Sequence, residues 1–194
     1  MKIWKNKQEV REYVWNLLEK KKVALFPNRG HIPNFKGVEK TIEKIKNIEL
    51  WKKAKIIFIS PDTPQRYLIK HALNEKKLVI MATPRLRKGF AIVNSYGNSL
   101  REILQNSKIV GYDIPKPDLI IIGSVAVDKK GNRIGKGGGF GDREIEIINS
   151  KFGKVKVITN VHDLQVFDDF DYLMEEHDHK VDIIVTPTRI IECN

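Results

Sequence analysis

The stretch PDLIIIGSVAVDKKGNRIGKGGGFGDREIEIINSK, residues 117–151, contains the pattern that decides the fold. Its part 118–127 is an almost unbroken apolar run, rich in β-branched residues, which predicts a buried strand. Residues 128–132 predict a turn, and 142–151 mixes isoleucines with charged residues, which predicts a short helix. A strand, a glycine loop and a helix in this order aim free N–H groups and the positive helix end at an anion.

The regions on both sides of this stretch alternate between apolar runs and helical patterns. Helices are predicted at 5–21, 37–49 and 64–75, and further strands at 54–60, 77–82, 154–159 and 181–186. Strands separated by helices predict an α/β fold, here a single three-layer α/β/α domain over residues 1–194 with a mostly parallel sheet. Ligands of such sheets bind beyond the carboxyl ends of the strands. Candidate residues follow several predicted strands: Asp62-Thr63, Pro84-Arg85, the glycine loop and Val161-His162-Asp163.

The loop between the predicted strand and helix, RIGKGGGFGDR at 133–143, combines bare backbone, positive charge and one carboxylate. Five glycines allow a ligand to approach the backbone closely, and Asp142 is a side chain of the kind that holds Mg²⁺ at phosphates. A Walker A loop would need Lys followed by Ser or Thr, and a dinucleotide fingerprint would need glycine at Phe140. An RNA-reading strand would continue with valine and an aromatic residue. The loop therefore favours a polyphosphate site, with a flexible hairpin tip as the alternative.

Composition limits the class of protein. The chain has 194 residues and a formal net charge of +11, and its one cysteine, Cys193, has no partner within the chain. A lone cysteine, a charged N-terminus and the lack of a membrane-length apolar run predict a soluble cytoplasmic protein without a membrane partner. The positive charge fits either an anionic partner such as nucleic acid or many solvated lysines. Because the basic residues are spread along the chain, the second explanation is favoured.

Two shorter patterns gain meaning next to the glycine loop. Lys7 and Arg11 lie four positions apart on a predicted helix, so they share a face and repel each other unless an anion lies between them. His177-Asp178 precedes the last predicted strand and could supply a second carboxylate for Mg²⁺. Each also has a plain structural interpretation, as solvated basic residues and as a loop or helix cap.

These patterns together resemble the 5-formyltetrahydrofolate cyclo-ligase (methenyltetrahydrofolate synthetase) family. The resemblance rests on three motifs in the same order along the chain: Lys7-x-x-Val10-Arg11, the run Asp118–Arg143, and His177-Asp178-x-x-Val181-Asp182-x-x-Val185-Thr186. It implies a single three-layer α/β domain. It also implies an ATP- and Mg²⁺-dependent enzyme that converts 5-formyltetrahydrofolate, or a related pterin carrying one carbon, to 5,10-methenyltetrahydrofolate.

The resemblance also implies roles for individual residues. Arg11, Arg133 and Lys136 would be catalytic, and Arg11, Lys136 and Phe140 would border the folate. Asp142 and Asp178 would bind Mg²⁺. The ATP-binding set would be Lys7, Arg11, Arg133, Gly135, Lys136, Gly137, Gly138, Gly139, Phe140 and Gly141.

The chain departs from the family pattern on the folate side. The family usually has two aromatic residues before the loop aspartate, where this chain has Phe140 and Gly141, and Ser60 stands near the position of a common acidic residue. The segments 83–87, 161–165 and 186–189 resemble the branch of methenyltetrahydrofolate synthetase domain-containing proteins. The alternative function is a nucleotide- or RNA-binding protein of the same fold without cyclo-ligase activity. Monomer and homodimer are both open, as are the roles of Arg85, Arg87 and His162.

Overall fold

The computed structural model describes residues 2–193, in which helices and strands alternate. The helices are α1 (Lys7–Lys20), α2 (Val38–Lys46), α3 (Glu49–Lys53), α4 (Thr63–Asn74), α5 (Leu100–Gln105) and α6 (Phe140–Phe152). The strands are β1 (Ala24–Leu25), β2 (Asn34–Phe35), β3 (Ile56–Ile59), β4 (Leu78–Ala82), β5 (Phe90–Val93), β6 (Ser107–Gly111), β7 (Leu119–Ile122), β8 (Ala126–Asp128), β9 (Arg133–Ile134), β10 (Val157–Asn160), β11 (Val166–Phe167), β12 (Ile183–Val185) and β13 (Ile190–Glu192). Short 3₁₀ turns cover Pro84–Leu86, Asp163–Gln165 and Asp171–Leu173.

An eight-stranded sheet in the order β13-β12-β10-β7-β3-β4-β5-β6 forms the middle layer. The five strands from β12 to β4 pair in parallel, and the flanking strands β13, β5 and β6 pair antiparallel. The predicted mostly parallel sheet is therefore confirmed. Its antiparallel edges and helices α3 and α5 are additions to the elements expected from the sequence.

Alternate side chains of the central strands enter two different hydrophobic cores, as the strand period of two requires. Ile57 and Ile59 of β3 pack with α2, α3, α4 and α5, while Phe58 packs on the opposite face with α6. A third cluster joins α1 to the small sheet β11-β8-β9. The arrangement is a three-layer α/β/α fold, as predicted. No helix within the described range is both long and apolar enough to cross a membrane.

The apolar run at 118–127 forms two strands rather than the single strand predicted. β7 ends at Ile122 in the large sheet, and β8 starts at Ala126 in the small one. The break lies at Gly123, where a Cβ atom would come within 3.0 Å of Gln65, Ile32 and Asp62. Only glycine allows this close approach, and its carbonyl accepts a 2.8 Å hydrogen bond from Arg133 Nε. The break is not visible in the sequence, because β7 and β8 are both buried and the apolar residues continue from one strand into the other.

Asp128 fixes the hairpin that leads from β8 to β9 and so to the glycine loop. Its fully buried carboxylate accepts hydrogen bonds from the backbone N–H groups of Lys130 (2.9 Å), Asn132 (3.0 Å) and Phe170 (3.0 Å). The side-chain amide of Asn132 adds a fourth bond at 2.8 Å. Four donors around one carboxylate hold the turn and the start of β9 in place.

We expect Asp128→Ala to lower the free energy of unfolding by about 2–4 kcal/mol, because it leaves several buried donors without an acceptor. Urea denaturation followed by far-UV circular dichroism measures this loss. Asp168→Ala is the matched control, since the Asp168 side chain is 78% exposed and forms a surface ion pair with Lys129. Equal unfolding free energies for the two variants would contradict the role given to Asp128.

Candidate functional site

A cavity of about 590 Å³ lies at the carboxyl ends of β3, β4 and β7. The ends of these strands, the first two turns of α1, the loop 135–141 and the segment 175–178 form its wall. Every residue predicted to bind ATP, folate or Mg²⁺ lines this one cavity: Lys7, Arg11, Arg133, Gly135, Lys136, Gly137, Gly138, Gly139, Phe140, Gly141, Asp142 and Asp178. The roles of these residues remain predictions. The structure does bring them together, from distant parts of the chain, around one cavity.

The glycine loop connects β9 to α6 through backbone angles that favour glycine. Gly137 has a φ of +120°, and Gly139, the N-cap residue of α6, has a φ of +74°. Among the described residues no side chain caps α6, so N–H groups of its first turn are left for a ligand. The positive end of the helix dipole attracts anions to the same point. The loop thus has phosphate-site geometry, although it follows a small-sheet strand and not the parallel sheet.

Lys7 and Arg11 lie on one face of α1, as their spacing predicted, and both reach the cavity. Arg11 Nε donates a 2.7 Å hydrogen bond to the carbonyl of Gly135, which ties the helix to the glycine loop. Burial lowers the pKa of the Arg11 guanidinium, an effect that Asp178 opposes and Arg133 strengthens. Lys7 Nζ donates a 2.6 Å hydrogen bond to Asp178 Oδ2. The two basic side chains therefore avoid mutual repulsion by binding different acceptors.

Arg133 lies beneath the loop with its side chain only 4% exposed. Its Nε binds the Gly123 carbonyl, and its Nη1 lies 3.3 Å from Asp142 Oδ1. Asp142 Oδ1 also accepts the backbone N–H of His179 at 3.0 Å. A Cβ atom on Gly141 would overlap Arg133 Nη2. The guanidinium therefore occupies the space next to position 141, where the family pattern has an aromatic residue.

The segment 175–178 brings further potential metal ligands to the cavity. One ligand atom each from Glu175, His177 and Asp178 lies within 4.8 Å of the other two. Burial acts to raise the pKa of Asp178, but hydrogen bonds from Lys7 and from the N–H of Glu175 hold that pKa below its ordinary value. Asp178 is therefore ionised at neutral pH, as a ligand for Mg²⁺ must be.

Glu144 and Asp62 are two further acidic residues of the cavity. The sequence indicates only the place of Asp62 after a strand and gives no role to Glu144. Glu144 is 5% exposed, and burial together with the nearby Asp62 raises its pKa to about 8, although Arg133 and Lys136 act in the opposite direction. The sequence did contain one sign that Glu144 is buried. Glu144 lies four positions before the apolar Ile148, so the two residues share the inner face of α6.

Three side chains whose roles were open fall in different places. Arg85 lines the cavity with a φ of +54°, a left-handed conformation that is uncommon for a residue with a Cβ atom. Arg87 is not one of the described residues that line it. His162 instead caps the 3₁₀ turn Asp163–Gln165, and Asp163 accepts a 2.6 Å hydrogen bond from Thr186. His162 is thus a cap in this fold, and Asp163 is a hydrogen-bond acceptor for the threonines that follow β12.

A larger groove, of about 880 Å³, lies along α2 and α4. Tyr67, Tyr96 and Ile190 contribute to its lining, together with lysines and glutamates of α2. It includes neither the glycine loop nor any residue predicted to bind a ligand. Because convergent charged groups and free backbone donors mark a site for chemistry better than size does, we place the functional site in the smaller cavity.

Known proteins resemble the chain over nearly its whole length. Methenyltetrahydrofolate synthase domain-containing proteins from Bos taurus and Homo sapiens are 38% and 37% identical to it over 204 and 203 residues. Each alignment covers 96% of this chain and 53% of the relative. The chain therefore spans about half the length of these curated relatives.

Solved structures support the fold. The NMR structure of 5,10-methenyltetrahydrofolate synthetase from Aquifex aeolicus superposes with a TM-score of 0.65 at 20% identity, covering 96% of this chain and 92% of that one. The 5,10-methenyltetrahydrofolate synthetase from Mycoplasma pneumoniae gives a TM-score of 0.57 at 13% identity, covering 93% and 98%. The sequence model of the 5-formyltetrahydrofolate cyclo-ligase family matches residues 3–187, and with it the cavity-lining motifs, so the chain belongs to this family.

Proposed function

We propose that this chain catalyses the ATP- and Mg²⁺-dependent conversion of 5-formyltetrahydrofolate, or a related reduced pterin carrying one carbon, to 5,10-methenyltetrahydrofolate. The observation that carries the proposal is one cavity that brings together the glycine loop and two further sets from distant parts of the chain: the basic side chains of Lys7, Arg11, Arg133 and Lys136, and the carboxylates of Asp142 and Asp178. Membership of the cyclo-ligase family and the methenyltetrahydrofolate synthase relatives support the same reaction class.

The cavity suits the triphosphate of ATP. The uncapped start of α6 offers N–H groups, and the glycines of the loop keep side chains away from them. Lys7, Arg11, Arg133 and Lys136 supply positive charge around this backbone. Such a set neutralises phosphate oxygens without covalent chemistry, which is what phosphoryl transfer requires of a protein.

The carboxylates fit Mg²⁺, which prefers oxygen ligands. Asp142 uses Oδ1 toward Arg133 and the N–H of His179, and Asp178 uses Oδ2 toward Lys7 and the N–H of Glu175. Among the described residues the second oxygen of Asp142 has no partner, and that of Asp178 lies 3.6 Å from His177 Nε2, itself a potential metal ligand. Asp142 and Asp178 would hold Mg²⁺, whose contribution when bound is to neutralise charge on the phosphates.

The reaction then requires the protein to position ATP and the folate, and it does not require a nucleophile from the protein. The γ-phosphoryl group would pass from ATP to the formyl oxygen, so the P–O bond to the leaving ADP breaks and a P–O bond to the formyl oxygen forms. N10 of the substrate attacks the formyl carbon and loses its proton, and the C–O bond to phosphate breaks. Arg11, Arg133 and Lys136 would stabilise the charge that develops on the transferred group, and Phe140 would pack against the pterin.

The second candidate function is nucleotide or RNA binding without turnover. It is motivated by the net charge of +11 and by Gly141 and Ser60, which depart from the family pattern. Binding to RNA through phosphate contacts would weaken steeply with rising salt. RNA affinity that does not change with salt would count against this alternative.

The deciding experiment incubates the intact protein with 5-formyltetrahydrofolate, ATP and Mg²⁺ and follows the absorbance of the methenyl product. We expect product and ADP in the complete mixture, and neither when ATP, Mg²⁺ or the folate is left out. Folded protein that forms no product and consumes no ATP would overturn the proposal. Mg-ATP binding without product would favour the second candidate.

A further inference from the structure

We propose that Arg85 binds the carboxylates at the glutamyl end of the folate and makes the cavity specific for a substrate that carries this group. This inference rests on the proposed function and deepens it, because it assigns the wall of the cavity that follows β4. Arg85 belongs to the segment 83–89, which connects β4 to β5, and it lines the cavity.

The Arg85 guanidinium differs from the other basic groups of the cavity in having no protein partner. Five lysine and arginine side chains line the cavity. The other four lie at acceptors of the protein: Lys7 at Asp178, Arg11 at the Gly135 carbonyl, Arg133 at Gly123 and Asp142, and Lys136 at Asp62. Within residues 2–193 the exposed Arg85 side chain forms neither a hydrogen bond nor an ion pair. Its N–H donors are therefore left for a ligand.

The backbone that carries this side chain is strained. Arg85 has a φ of 54° and a ψ of 25°, and Leu86 follows with a φ of 55°. Two successive residues with Cβ atoms in the left-handed region cost free energy, so the surrounding structure must hold them there. Strain of this kind is concentrated at active sites and ligand-binding segments, so it indicates a binding role for Arg85.

The segment 83–89 is fixed by its own hydrogen bonds and by one buried side chain. The N–H and the hydroxyl of Thr83 donate to the Gly89 carbonyl at 2.9 and 2.7 Å, and Thr83 Oγ1 accepts the N–H of Lys88 at 3.1 Å. The Leu86 side chain is 5% exposed and packs in the core on the α6 face of the sheet. These contacts hold Arg85 at the cavity in one backbone conformation.

The place of Arg85 in the fold separates it from the phosphate site. In the sheet, β3 lies between β4 and β7. Adjacent strands are about 4.8 Å apart, so the end of β4 lies about 10 Å from the end of β7. Arg133 lies at the end of β7, between Gly123 and the first turn of α6. Arg85 thus approaches the cavity from a different wall than the groups around the glycine loop.

The charge distribution of the folate supplies an anion for this wall. The pterin ring and the formyl group of 5-formyltetrahydrofolate are uncharged, and its negative charge lies on the two carboxylates of the glutamyl group. The proposed reaction places the formyl oxygen at the γ-phosphate, so the glutamyl end, beyond the aminobenzoyl ring, extends away from the glycine loop. A guanidinium binds a carboxylate through two parallel N–H···O bonds, which makes Arg85 a fitting partner for this end.

The experiment compares two ligands by titration calorimetry with the intact protein. One is 5-formyltetrahydrofolate, and the other is 5-formyltetrahydropteroic acid amide, in which an uncharged amide replaces the glutamyl group. The wild type should bind the folate about 10-fold more tightly than the amide. Arg85→Ala should bind the folate about 10-fold more weakly than the wild type does, and it should bind the amide and Mg-ATP within about twofold of the wild type.

Arg87→Ala is the matched control, because Arg87 is an exposed arginine of the same segment and is not among the described residues that line the cavity. It should bind both ligands as the wild type does. If Arg85→Ala binds the folate as tightly as the wild type, or weakens folate and amide equally, the assignment is refuted while the proposed function stands. A loss confined to Mg-ATP would place the guanidinium at the phosphates and also refute it. Wild-type protein that binds neither ligand and forms no product would refute both proposals.

Arg85→Gly tests the strained backbone without any ligand. Glycine adopts the left-handed conformation without a steric penalty, so Arg85→Gly should unfold at a higher urea concentration than Arg85→Ala. This order is the reverse of the usual one, because glycine loses more conformational freedom on folding than alanine does. Arg85→Gly should still bind the folate as weakly as Arg85→Ala. A urea midpoint equal to or below that of Arg85→Ala would overturn the strained presentation of Arg85 on which the proposal rests.

Discussion

Asp142→Asn should lower the rate of methenyl product formation by about 1000-fold or more, while the protein stays folded. The amide keeps an oxygen that can accept the N–H of His179 and face Arg133, as Asp142 Oδ1 does. It removes the negative charge through which a carboxylate binds Mg²⁺ more tightly than a neutral amide does. The expected loss therefore falls on catalysis and on metal affinity, and not on the fold.

Product formation across a series of Mg²⁺ concentrations measures this effect, and the urea midpoint of each variant reports the fold. Asp142→Ala should lose turnover equally, with an added stability loss of about 2–3 kcal/mol because the His179 N–H and the buried Arg133 guanidinium lose their acceptor. Asp168→Asn is the surface control. An Asp142→Asn protein that turns over like the wild type at all Mg²⁺ concentrations would exclude Asp142 as a metal ligand.

The layers of this fold were predictable because its central strands are almost purely apolar. Runs such as 56–59 and 119–122 are buried on both faces, so their composition alone indicates a parallel sheet between helices. The edge strands were not predictable in the same way. β5 is almost wholly buried, whereas β6 and β13 contain only half-buried and exposed residues. All three take their place from pairing with neighbours rather than from a clear sequence period.

The place of the glycine loop in the candidate site was predictable for a different reason. A glycine-rich loop with flanking basic residues has few uses other than an anion site, so residues 133–143 could be interpreted without coordinates. Glu144 could not, because its environment depends on Asp62 from another element and on burial against α6. His162 shows the opposite case, since a His-Asp pair that looked chemical is a turn cap. Local composition predicts the loop, whereas a buried titratable group depends on tertiary neighbours.

Arg133→Ala should lower turnover by about 100- to 1000-fold, because it removes a buried donor that we propose stabilises phosphate charge. It should also cost about 3 kcal/mol of unfolding free energy. The Arg133 side chain is 4% exposed, and its removal leaves the Gly123 carbonyl and the Asp142 carboxylate without a basic partner. Arg133→Lys keeps the positive charge but loses the planar guanidinium that binds Gly123 and Asp142 at once. It should therefore restore only part of the unfolding free energy that Arg133→Ala loses.

A substitution of Gly141 tests the position of the Arg133 guanidinium independently. Alanine is favoured over glycine inside a helix by about 1 kcal/mol, so Gly141→Ala would stabilise α6 if the space were empty. A Cβ atom at this position would overlap Arg133 Nη2, however, and Arg133 is held by Gly123 and Asp142. Displacing a buried side chain costs about 1–3 kcal/mol, so we expect a net loss of stability and about a 10-fold loss of turnover.

The double variant that combines Gly141→Ala with Arg133→Ala tests whether Arg133 is the reason for glycine at position 141. If Gly141 is there because Arg133 occupies the neighbouring space, Gly141→Ala should become neutral or stabilising by up to about 1 kcal/mol once Arg133 is alanine. Urea unfolding of the wild type, both single variants and the double variant gives the coupling energy directly, and we expect about 1–3 kcal/mol. Additive effects would show that the guanidinium does not lie against Gly141. Strong coupling would mean that the residue which departs from the family pattern is the one that lets Arg133 reach Asp142 beneath the glycine loop.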